Sequence, residues 1–118
     1  MIVSNAAVTK SATGNTFTPA SISLAAQSQT GTANPVSYSG RFKIETTTNG
    51  TSWTTQYTSS ANESAKNWTI PTNIDGLKAI RCTLYKAGGT STLHDQQSIV
   101  IVSNGADGTD GAKGDKGY

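Results

Sequence analysis

Between residues 17 and 102 the chain is a succession of short runs in which apolar and polar residues take turns. In Ile22-Ser23-Leu24-Ala25-Ala26 the apolar Ile22, Leu24 and Ala26 are separated by small residues, the period of two that marks a half-buried strand. Residues 36–45 alternate in the same way, which directs Phe42 and Ile44 inward and Arg41, Lys43 and Glu45 to solvent. Asn49-Gly50 is a strong hairpin signal. It is followed at 52–57 by a run in which strict alternation sets Trp53, Thr55 and Tyr57 on one face. Asn67-Trp68-Thr69-Ile70 predicts a short strand ended by Pro71, with Trp68 and Ile70 in phase as core. Asp75-Gly76 turns into residues 77–85, where Ile80, Cys82 and Leu84 point inward and Arg81 and Thr83 outward. After Gly88-Gly89 comes a last strand at 97–102. Its unbroken Ile99-Val100-Ile101-Val102 predicts cover on both sides, or pairing close to where the chain leaves the domain. No window repeats its apolar residues at the helical spacing, so no substantial helix is expected.

About seven short strands in roughly a hundred residues predict an all-β Greek-key sandwich. Three stretches sharpen the expectation: Phe42-Lys43-Ile44-Glu45 at the place of a central strand, Asn49-Gly50-Thr51-Ser52-Trp53 as a hairpin, and Arg81-Cys82-Thr83-Leu84-Tyr85 at the penultimate strand. On these the body resembles an immunoglobulin-like or fibronectin-type module. It departs from that pattern in having no second cysteine, and in placing Ile80 where a tyrosine corner has its tyrosine, two residues before Cys82. The expected organisation is a linker or edge strand at 1–16, the sandwich at 17–104 and a distinct tail at 105–118.

The tail has its own period. Gly105, Gly108, Gly111, Gly114 and Gly117 fall at every third position. A flexible linker has no reason to keep that register. A collagen-like triple helix requires it, because three polyproline-like chains leave room only for hydrogen at their common axis. Lys113 and Asp115 flank Gly114 and can pair between neighbouring chains. Such an exposed pair contributes about 0.5 kcal/mol. The tail contains no proline, and four complete triplets are too few to hold a triple helix alone, so the expectation is a tail either nucleated by neighbouring trimeric parts or disordered. As a rod it would extend about 40 Å.

Ile2-Val3-Ser4-Asn5 recurs as Ile101-Val102-Ser103-Asn104 immediately before the triplets, as in one bead of a longer string. A sandwich followed by Gly-Ala-Asp-Gly triplets ending in Gly-Tyr resembles the tail and baseplate fibre proteins of bacteriophages that infect Gram-positive bacteria. The resemblance implies a homotrimer assembled with adjacent modules of the same fibre, made in the bacterial cytoplasm and carried on the virion. In such proteins these modules act as spacers, as trimer-stabilising parts or as accessory binders of host-surface glycans. A bacterial surface adhesin of the same modular build is a further alternative.

Charge and composition narrow the partners. Nine basic and seven acidic residues give a net charge of +2, scattered without a basic run, which argues against nucleic acid. No segment has the length or apolarity of a membrane span, and no secretory signal is recognisable at the amino end. The sequons at Asn49, Asn62 and Asn67 follow from a chain rich in Asn and Thr. With one cysteine there is no intrachain disulfide.

No catalytic or cofactor chemistry is legible. His94-Asp95 lacks a nucleophile and an orienting group, and reads as a loop pair. Cys82 reads as a small core residue. One histidine and one cysteine cannot build a usual zinc site. Asp107, Asp110 and Asp115 are spread along the tail rather than gathered in a calcium loop. Neither Gly88-Gly89 nor the tail has the lysine and hydroxyl of a phosphate loop. What remains is Trp53 and Tyr57 beside Gln56. Exposed aromatic rings next to amides and hydroxyls are how sandwich proteins hold sugars. The alternative is that Trp53 packs into the sandwich or its edge.

Overall fold

A computed structural model describes residues 1–103 of the chain. It contains eleven strands: β1 (Ile2–Val3), β2 (Ala7–Lys10), β3 (Phe17–Thr18), β4 (Ser21–Ala25), β5 (Gln27–Ser28), β6 (Val36–Ser37), β7 (Arg41–Thr47), β8 (Thr54–Thr58), β9 (Ala65–Thr69), β10 (Ala79–Tyr85) and β11 (Leu93–Ser103). Among the described residues there is no helix. Of the seven segments of four residues or more, β4 and β7 to β11 fall where strands are expected between 17 and 102, while β2 lies in the segment expected to be a linker or edge strand; the other four are two-residue pieces at sheet edges and in a small hairpin.

The strands form a large sheet in the order β3-β2-β11-β10-β7-β8, a small one in the order β1-β4-β9, and the separate β5-β6 hairpin. All pairs are antiparallel except β2 with β11, which run parallel. Residues 1–16 are woven into both sheets: β1 edges the small one, while β2 lies inside the large one and carries fully buried Val8. The small sheet contributes Ile22, Leu24 and Trp68. The large one contributes Phe42, Ile44, Ile80, Cys82, Leu84, Ile99 and Ile101, and the two sets form a single core. This arrangement is compatible with a β-sandwich.

The period of two places most core residues correctly, and four expectations need correction. Residues 36–45 are not one strand, because Tyr38-Ser39-Gly40 breaks them into β6 and β7. The break falls where the chain changes partners, from Ala26 at Tyr38 to Glu63 at Gly40, and passes close to the end of β10. A Cβ on Gly40 would lie 2.5 Å from the carbonyl oxygen of Tyr85 and 2.9 Å from the Tyr38 ring, so only glycine lets these segments approach. Next, Glu45 and Thr83 face outward by phase yet are buried. Glu45 lies under Arg81 and Lys43, and Thr83 accepts a hydrogen bond from Gln96 Nε2 at 3.1 Å. Thirdly, the last strand is not covered on both sides: Ile99 and Ile101 are buried, but Val100 and Val102 remain 52% and 50% exposed. The strand does pair on both edges, with β10 and β2.

The fourth correction concerns β8. Ile44 pairs with Tyr57 but Glu45 pairs with Thr55, so Gln56 is an extra residue, a bulge in the ladder. The alternation therefore reverses at Gln56. Thr55 stands beside outward Glu45, while Tyr57 stands beside inward Ile44 and packs against the core. Trp53 and Tyr57 do not share a face. The hairpin before them is real but long, since residues 48–53 connect β7 to β8. Asn49 organises it by accepting from the N–H of Thr51 at 2.9 Å and of Ser52 at 2.8 Å, with Gly50 at φ 83°.

Candidate functional site

Three places on the described surface gather groups that could act on something else. The first surrounds Trp53, which precedes β8 and is half-buried. The guanidinium of Arg81 lies 4.2 Å above its ring, and Arg81 Nε is 3.0 Å from Glu45 Oε1. Lys43 Nζ approaches the same carboxylate at 3.8 Å. One face of the indole is thus occupied by a cation that is itself neutralised beneath. The stack is a self-contained layer on the outer side of the large sheet.

Tyr57, on the other side of β8, is equally engaged. Its hydroxyl donates to Glu63, as does that of Ser59, while Ser59 Oγ accepts from the Phe42 N–H at 2.8 Å. Burial pushes the Tyr57 phenol up from its ordinary value, and the hydrogen bond to the Glu63 carboxylate acts in the same direction. Lys66 Nζ sits 4.2 Å from the ring centroid. Glu63 also exchanges backbone hydrogen bonds with Gly40, at 3.1 and 2.9 Å. The cluster therefore pins the crossover between sheets. Gln56, the bulged residue, is exposed, and its Nε2 donates to Thr46 Oγ1 at 3.0 Å. Each of the three residues expected to gather around a sugar makes contacts within this chain, and Trp53 and Tyr57 face opposite ways.

The second place is an open groove of about 350 Å³ at the end of the sandwich where the chain starts, lined by Gln27, Gln29, Tyr38, Leu84, His94 and Asp95 among others. His94 is in β11 rather than in a loop, with its ring edge-on to Tyr38 at 5.5 Å between centroids. Partial burial opposes ionisation of Asp95. Hydrogen bonds from the Gln97 side chain, the amino terminus and the Gln96 N–H outweigh it and hold the carboxyl below the usual range. The hydroxyls lining this groove are those of Ser28, on the β5-β6 hairpin, and Tyr38, whose oxygen accepts from the Ala87 N–H at 3.0 Å. Cys82 lies in mid-strand on β10, fully buried, and burial pushes its thiol up to about 12. It is a core residue without the electropositive, accessible setting that makes a thiol reactive.

The third place is the opposite end of the same large sheet. Here β2 and β11 lie side by side, pairing Val100 with Ala7, Ile101 with Val8, Val102 with Thr9 and Ser103 with Lys10. Ile101 and Val8 point into the core. The other phase turns Val100, Val102, Ala7 and Thr9 outward, beside Ala79 of β10 and Thr18 of β3. None of these six residues carries a charge. Ordinary period-two reading could have found this stripe, had the apolar run at 99–102 not suggested a doubly covered strand.

The tail glycines Gly105, Gly108, Gly111, Gly114 and Gly117, and the pair Lys113 and Asp115, lie outside the described residues. No protein family, curated protein or solved structure matches this chain.

Proposed function

We propose that this chain is an immunoglobulin-like spacer of a trimeric fibre, of the kind found in bacteriophage tail fibre or baseplate proteins, carried on the virion and joined to collagen-like Gly-X-Y segments. The observation that carries this reading is the path of the chain through the sandwich. The Met1 amino group lies 3.2 Å from Asp95 Oδ2, near the start of β11. Ser103 closes that strand at the opposite end of the sheet, about 25 Å away at the usual strand rise. Domain termini often lie close together. Here they are separated lengthwise, as suits a bead threaded between others, and the glycine triplets begin two residues beyond Ser103.

The immunoglobulin-like assignment is supported by strand order. β1-β4-β9 facing β11-β10-β7-β8 follows the A-B-E and G-F-C-C′ sheets of such sandwiches. Against the glycan-binding alternative, Trp53 and Tyr57 point to opposite sides and each already has a cation over its ring. The adhesin alternative shares the same architecture and differs in the particle that carries it.

Sedimentation velocity of a longer chain, carrying further Gly-X-Y triplets and a neighbouring module, tests the proposal over a wide concentration range. The expected result is a species of three-fold mass that grows with concentration and is depleted by Gly111→Ala, which puts a methyl group at the crowded axis. A monomer at every concentration would refute the trimeric reading.

A further inference from the structure

We propose that the outward face of the β2–β11 pair is the surface by which copies of this chain meet around the fibre axis. The proposal rests on the trimeric reading above and adds which side of the sandwich turns inward. In a triple helix the three chains run in contact with one another. Only Asn104 separates Ser103 from Gly105, and one extended residue spans at most about 3.6 Å. On that reading the carboxyl end of β11 in each copy would lie close to the common axis, because the triplets begin at Gly105. Leading up to that end, Val102 and Val100 are half-exposed, with Ala7 and Thr9 of β2 beside them, and Lys10 lies next to Ser103 on the other phase.

Two features suit this face to its own copies. It lacks charge, whereas like charges brought together by a symmetry axis would repel. Lys10, the next residue of β2, falls on the opposite phase of its strand. It also exposes β-branched and small side chains on a regular strand pair, a flat surface that three copies can present to one another without rearrangement. The outer face of the small sheet is polar along most of its length, with Ile2, Ala25 and Ala65 as its one apolar row at the end nearest the amino terminus. Along the polar part Ser21 pairs with Thr69 at 3.3 Å and Ser23 with Asn67 at 3.5 Å, so its hydroxyls and amides are already matched.

Disulfide trapping in the same longer chain decides the matter. Val102→Cys, mildly oxidised at concentrations where sedimentation shows the trimer, is expected to give covalent dimers. Ser23→Cys, on the opposite side, is expected to give none. The native Cys82 is fully buried and serves as the silent background. Val102→Asp is expected to lower the association constant at least tenfold while leaving the thermal midpoint of the domain unchanged. A trimer without trapped Val102→Cys dimers, or with trapped Ser23→Cys dimers, would overturn this inference and leave the fibre reading standing. A chain that sediments as a monomer throughout would remove both.

Discussion

The outer side of the large sheet has two flanks built on the same strand geometry to opposite ends. On the β7–β8–β10 flank, polar groups close on one another: Glu45 takes Arg81 and Lys43, Arg81 covers Trp53, and Gln96 caps Thr83. On the β2–β11 flank, Val100, Val102, Ala7 and Thr9 stand in the open with nothing charged among them. A polar residue on a sheet surface is therefore no sign of an interaction site when its hydrogen-bonding capacity is met nearby. The chemically plain flank is the one that can be covered at least cost, because burying its valines and alanine leaves no charge unpaired.

Substitutions on the two flanks should separate sharply in their effect on the fold. The largest effect is expected from Gly40→Ala, at the start of the closed flank. The new methyl group meets the Tyr85 backbone at 2.5 Å, and a backbone oxygen within a sheet cannot step aside. A loss of about 3 kcal/mol is expected in urea denaturation; a loss under about 1 kcal/mol would mean that the flank yields. Glu45→Gln keeps the shape but removes the charge that Arg81 and Lys43 share. Because both cations are partly exposed, the expected cost is about 1 kcal/mol. The difference from the unaltered chain should shrink as salt is raised. The open flank should respond least: Val100→Ser with Val102→Ser is expected to stay within about 0.5 kcal/mol of the parent in the same titration. A large loss there would show that these valines support the fold and are not held in reserve for contact.

Much of the fold was legible because strands with one buried face write their phase into the sequence. Ile22 and Leu24, Phe42 and Ile44, Trp68 and Ile70, and Ile80, Cys82 and Leu84 all fall inward as their spacing predicts. What escaped was set by partners distant in sequence or by a single inserted residue. Glu45 and Thr83 look exposed from their own strands and become buried only when long neighbours fold over them. One extra residue at Gln56 reverses the phase of β8 and parts Trp53 from Tyr57, a change that no alternation rule foresees. The pairing of β2 with β11 brings together residues more than ninety positions apart, from a segment whose sequence reads equally well as a linker.

That parallel pairing bears on mechanics. The first strands lead away from one end of the sandwich and β11 leads out of the other, so tension along the chain would draw β2 and β11 in opposite directions along their shared ladder. The load would then fall in shear on the Ala7–Val100 to Lys10–Ser103 register as a set, where a peeled hairpin gives way one rung at a time. A module loaded this way would have to break that register all at once.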